Sequence, residues 1–68
     1  MELIEQNIQR FNLKENVINK LYDNNIKTIG NLCRQSKTDL RNINLEQKDI
    51  YKIEVELQLV GLNLRNNP

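Results

Sequence analysis

Residues 43–64, INLEQKDIYKIEVELQLVGLNL, constrain the fold more than any other stretch. Ile50, Ile53, Leu57 and Val60 fall at i, i+3, i+7 and i+10, a continuous apolar stripe on one helix. The spacing predicts a helix from Glu46 or Gln47 to Val60. Gly61 then stands where a left-handed residue ends a helix, and Leu62 and Leu64 are expected to fold back onto the core. The turn before this helix has its own consequence. Turns between two helices can bring backbone amides up to a phosphate, and glycine permits the approach. Here Glu46 occupies that contact point.

Apolar spacing stays helical through the rest of the chain, with no sustained strand alternation. Residues 1–13 carry Leu3, Ile4, Ile8, Phe11 and Leu13, which predicts a short helix and an extended arm (residues 1–12) covering one side of the core. A second helix, about Leu13 to Asn24, places Val17, Ile18, Leu21 and Tyr22 inward, with Asn12 and Glu15 as a candidate capping box. Asn24-Asn25 ends it, because asparagine tolerates the left-handed conformation. Thr28 is the candidate N-cap of a short helix with Ile29, Leu32 and Cys33 inward. Gly30 inside that helix costs about 1 kcal/mol relative to alanine, so a close backbone contact is expected there. Ser36 and Asp39 cap another short helix that buries Leu40 and Ile43. Residues 65–68 are expected to fray. The turns Ile26–Ile29 and Ile43–Glu46 share an Ile-x-x-Ile or Ile-x-x-Glu frame, which hints at a doubled helix-hairpin-helix plan.

Sixty-eight residues make one domain, residues 1–68. A chain of this size buries only about 60% of its unfolded surface. Net charge is +1 without a gradient: five basic and four acidic residues lie up to Gln35, and five of each follow. A flat profile predicts weak, salt-sensitive nucleic-acid binding at most. Phe11, Tyr22 and Tyr51 are too few to build a stacking platform for single strands. One cysteine and no histidine give neither an internal disulfide nor a zinc set, so no metal or cofactor is expected. With no membrane span and no signal peptide in the sequence, a cytoplasmic location and no membrane partner are expected. No glycine-rich phosphate loop and no nucleophile–base pair is visible, so no enzyme activity is expected.

Several features then occur in one order. Ile8-x-x-Phe11-x-Leu13 comes first, followed by Leu21 and Ile26-Lys27-Thr28-Ile29-Gly30-Asn31-Leu32. Asn44-Leu45, Lys48, Ile50, Ile53, Leu57 and Gly61-Leu62-x-Leu64 complete the series. This order resembles the C-terminal domain of the bacterial RNA polymerase α subunit from Ile8 to Leu64. The register is ungapped from Ile8 to Gly30 and from Asn44 to Leu64. The resemblance implies an all-α fold, a compact bundle of four to five short helices of the helix-hairpin-helix, SAM-like type. It implies a transcription-related docking role, with contacts to the minor groove of AT-rich promoter DNA and to transcription regulators or sigma factor. Other RNA polymerase subunits would be partners if the domain belongs to a longer chain. DNA contact in the family uses the start of the first long helix and the turn into the last.

On those two segments the candidate DNA-contacting residues are Asn16, Asn19, Lys20, Lys48 and Lys52. Asn19 and Lys48 match the family pattern. Asn16 stands in place of an arginine, Lys20 in place of a small residue and Lys52 in place of a glutamate. The family's Asn-Leu-Gly-x-Lys-Ser reads here Asn44-Leu45-Glu46-Gln47-Lys48-Asp49. Loss of the arginine removes the group best suited to a narrow minor groove. Glu46 and Asp49 put carboxylates where a phosphate would approach, and are expected to block DNA contact. Two readings follow: a weak DNA-docking and regulator-docking domain, or a protein interaction and assembly module that kept the fold and gave up DNA. On the bland side, Asn16, Asn19 and Lys20 form a solvated helix face, and Lys48 and Lys52 are neutralised by Glu46, Asp49 and Glu56. Cys33 reads as a buried structural thiol. Tyr51 reads as a partly buried edge residue, with an exposed partner anchor as the alternative.

Overall fold

A computed structural model describes residues 2–65. The fold is an all-α bundle whose described residues form four α-helices preceded by two short 3-10 turns. The helices are α1 (Glu15–Asp23), α2 (Ile29–Cys33), α3 (Lys37–Asn42) and α4 (Gln47–Leu59). Leu21, Ile29, Leu32, Leu40, Ile53 and Leu57 are fully buried, so every helix sends at least one apolar side chain into a common core. The α4 stripe is as expected for Ile50, Ile53 and Leu57, while Val60 caps the helix and packs at the core's edge.

Three helices end in the same way. Asn25, Asn44 and Gly61 have positive φ of 61°, 69° and 80°. After each one, an apolar residue returns its N–H to a leucine carbonyl five positions back. The bonds are Ile26 to Leu21 at 2.9 Å, Leu45 to Leu40 at 3.3 Å and Leu62 to Leu57 at 2.8 Å. Each left-handed residue also donates to the carbonyl three back, at 3.0 Å in all three cases. These are Schellman closures, in which a hydrophobic pair locks the helix end. The shared pattern is Leu-x-x-x-Asn/Gly-Ile/Leu, a firmer internal repeat than the Ile-x-x frame. It aims the chain sharply out of α1 and α3 and into the next helix.

Helix starts follow the cap residues in two cases and not in the third. Thr28 accepts from Asn31 N–H at 3.0 Å and Ser36 from Asp39 N–H at 3.1 Å. The expected Asn12–Glu15 box does not form. Lys14 is the N-cap of α1 and makes no side-chain cap bond. Asn12 lies too far upstream, and its N–H faces Glu56 Oε1 at 3.4 Å.

The N-terminal arm differs from a helix followed by an extended stretch. It consists of 3-10 turns at Leu3–Glu5 and Ile8–Arg10, separated by a bridge pairing Asn7 with Thr28. Ile8 N–H donates to Lys27 O, and Ile29 N–H donates to Gln6 O, both at 2.9 Å. The Tyr22 hydroxyl donates to Asn7 Oδ1 at 2.6 Å. Ile8 and Phe11 are thereby buried, as a covering role requires. Arg65 does not fray: its N–H reaches Gln35 O, its Nε reaches Arg34 O and its guanidinium meets Asp39 at 2.9 Å. The Ser36 N–H and the Arg65 guanidinium together hold the Asp39 carboxyl below the usual carboxylate range. Residues 66–68 of the expected tail lie outside the described residues.

Gly30 marks the close contact expected of it. A β-carbon there would sit 3.0 Å from Ile4 O and 3.3 Å from Ile4 Cβ. Gly30→Val is therefore expected to destabilise the domain by about 1–3 kcal/mol through overpacking. Thermal melts and amide shifts at Leu3–Glu5 check this. An unchanged melting temperature would show that the first turn does not pack on α2 in solution.

Candidate nucleic-acid interface

The beginnings of α1 and α4 border one open groove of about 410 Å³, lined by Asn12, Leu13, Lys14, Val17, Lys48, Asp49 and Lys52. Leu13 and Val17 give it an apolar floor. Three lysines stand at its rim. The expected site is thus partly assembled: Lys48 and Lys52 line the groove, whereas Asn16 and Asn19 are exposed on α1 outside its lining.

Lys20 has a different task from the one the sequence suggests. Its Nζ donates to Asn44 O at 2.8 Å, and its side chain is half-buried. Asn44 is the left-handed residue of the α3–α4 turn, so Lys20 ties α1 to that turn. A charge engaged in this way is a weaker phosphate ligand than a free one.

Glu46 and Asp49 also separate in role. Asp49 is only 8% exposed. Its Oδ2 accepts from Glu46 N–H at 3.4 Å, and its own N–H goes back to Glu46 O at 3.0 Å. Its charge is spent on the first turn of α4, where an anion is favoured by the helix dipole. Asp49 thus caps α4 and is also the one acidic residue in the groove's lining. Glu46 lies outside the groove's lining, with its side chain 71% exposed and 3.9 Å from Lys48. Its φ of −77° and ψ of 160° are open to any residue. The backbone therefore does not demand glycine at this point, and the glutamate folds without strain.

Lys52 pairs with Glu56 at 3.3 Å. Glu56 also receives the Asn12 N–H, so one carboxylate links arm and helix. Both rim ion pairs on α4 agree with the neutralised surface. The exposed Lys48–Glu46 pair contributes only about 0–1 kcal/mol, and a competing anion can displace it. Lys14 was not singled out in the sequence. It makes no ion pair among the described residues and supplies the third positive charge. Its place two residues before Asn16, at the start of α1, is the signal that points to it.

Other chemistry finds little footing among the described residues. Cys33 is partly buried against the core, and burial raises its thiol pKa, which lowers thiolate reactivity. No cluster of His, Cys, Asp or Glu suited to a metal occurs there. Every buried side-chain nitrogen and oxygen there has a hydrogen-bond partner. No helix there is long and apolar enough to cross a membrane. Tyr51, expected as a partly buried edge residue with an exposed position as the alternative, is 67% exposed. It sits about 100° from Ile50 on α4, which turns it out of the core stripe. No protein-family model matches the chain, and no curated protein matches it either.

Proposed function

We propose that the chain is a transcription-related docking domain similar to the C-terminal domain of the RNA polymerase α subunit. In this reading it contacts AT-rich promoter DNA weakly, and transcription regulators, from one side of the bundle. One observation carries it: the two segments that the resemblance assigns to DNA contact border a single groove with Lys14, Lys48 and Lys52 at its rim. The groove offers positive charge and little else that reads bases. Binding is therefore electrostatic and salt-sensitive, in the range of about 10⁻⁴–10⁻⁶ M typical of non-specific contact.

The second reading, an interaction module that has given up DNA, is favoured by a separate observation. Lys20, Lys48 and Lys52 are each engaged within the chain, Asp49 lines the groove, and Glu46 stays exposed beside Lys48.

Amide shifts recorded with an AT-rich duplex separate the two. DNA docking predicts shifts at Lys14–Lys20 and Glu46–Lys52 that fade as salt rises. No shifts at about 1 mM duplex would sink it. Glu46→Gly removes the negative charge beside Lys48. The expected gain is about fivefold in affinity, the ~1 kcal/mol that two unit charges 4 Å apart exchange in water. An unchanged affinity would take the hairpin out of the contact.

A further inference from the structure

We infer that Glu56 is the groove's internal anion: it competes with a DNA phosphate for Lys52 and makes that competition depend on the N-terminal arm. Its two carboxylate oxygens have different partners. Oε2 lies 3.3 Å from Lys52 Nζ, and Oε1 accepts the Asn12 N–H at 3.4 Å. Lys52 and Asn12 both line the groove, and Glu56 stands one helical turn behind Lys52, outside that lining. An incoming phosphate must therefore draw Lys52 off a carboxylate that already holds it. The inference deepens the docking reading and rests on it for its ligand.

Burial separates Glu56 from Glu46. The Glu56 side chain is 16% exposed, against 71% for Glu46. A partly covered pair is less screened by water and salt than an exposed one. Its contact is also closer, at 3.3 Å against 3.9 Å. Helix preference does not explain the pair, because lysine four residues before glutamate is the less favourable order. The arm supplies what the helix does not. The Asn12 N–H holds the carboxylate in place, so pairing with Lys52 costs less side-chain entropy than joining two free chains. Asn12 directly follows Phe11, which is buried in the core, so the packing of the arm and the position of Glu56 are linked. Glu54 is turned to Lys37 of α3 at 3.4 Å, which leaves Lys52 to Glu56.

The test compares Glu56→Gln with the unaltered chain, each titrated with an AT-rich duplex at low salt. Glutamine keeps the shape and an oxygen for the Asn12 N–H, but has no charge to hold Lys52. The melting temperature should hold, and duplex affinity should rise about tenfold, more than for Glu46→Gly. In a Lys52→Met background the gain should vanish, which a general loss of negative charge would not produce. Without duplex, Lys52→Met alone should shift the Asn12 amide, because Glu56 connects the two. Equal duplex affinity of Glu56→Gln and the unaltered chain would overturn the inference and leave the docking reading standing. So would a gain that survives Lys52→Met, or an Asn12 amide that ignores it. A duplex that binds neither chain would sink the docking reading and this inference together.

Discussion

Ile53→Ala should lower the melting temperature by roughly 10–30 °C and leave the domain at the edge of unfolding. Ile53 is fully buried, on the inward stripe of α4 beside Leu57. Truncating such a side chain to alanine costs about 2–5 kcal/mol, because the transfer gain is lost and the cavity collapses only in part. Natural domains hold about 0.05–0.15 kcal/mol per residue, which puts a chain of this size at about 3–10 kcal/mol in total. One substitution can therefore consume most of the stability. Tyr51→Ala, two positions away but exposed, is the matched control and should change stability by less than about 0.5 kcal/mol. Circular dichroism melts compare the two. Equal shifts for Ile53→Ala and Tyr51→Ala would refute the orientation of α4.

Removing residues 1–11 should abolish cooperative folding. The arm is not an appendage, because Ile8 is fully buried and Phe11 is 6% exposed. Burying side chains of this kind stabilises by about 1.5–3 kcal/mol each. The deletion also takes away the acceptor of Ile29 N–H and the donor to Lys27 O. Together these losses match the whole expected stability of the domain. Amide dispersion should collapse in the truncated chain. Ile8→Ala with Phe11→Ala, which keeps the backbone bonds, should weaken the fold strongly but by less. A truncated chain that still melts cooperatively near the full-length temperature would show that the arm is dispensable.

Much of the architecture was legible in the residues. The α4 stripe, the Thr28 and Ser36 caps, the left-handed Asn25 and Gly61, and the close approach at Gly30 follow from local rules. Those rules act over a few residues, and nothing distant overrides them here. The arm was less legible. Its turns are held by Thr28 and Tyr22, far along the chain, and two 3-10 turns leave no helical period to read. The Asn12–Glu15 pair matched a capping pattern, yet the helix began at Glu15 and left Asn12 to face Glu56. Among the candidate site residues, type and spacing found Lys48 and Lys52 but could not tell how each charge is used. Asp49 and Glu46 look alike in sequence. Asp49 is folded back into the first turn of α4 where it lines the groove, and Glu46 is exposed outside that lining.

The sequence by itself determined a small all-α bundle, the places where its helices start and stop, and most of the side chains that fill its core. Helical periodicity and end signals are local, so they survive without knowledge of the neighbours. Only the tertiary structure decided what lies beside the Ile43–Leu64 segment. It put Lys14 at the groove rim, spent Lys20 on the Asn44 carbonyl and left Tyr51 and Leu59 facing solvent. Those outcomes depend on which surfaces meet across the bundle, and charge and exposure at a contact are properties of the meeting.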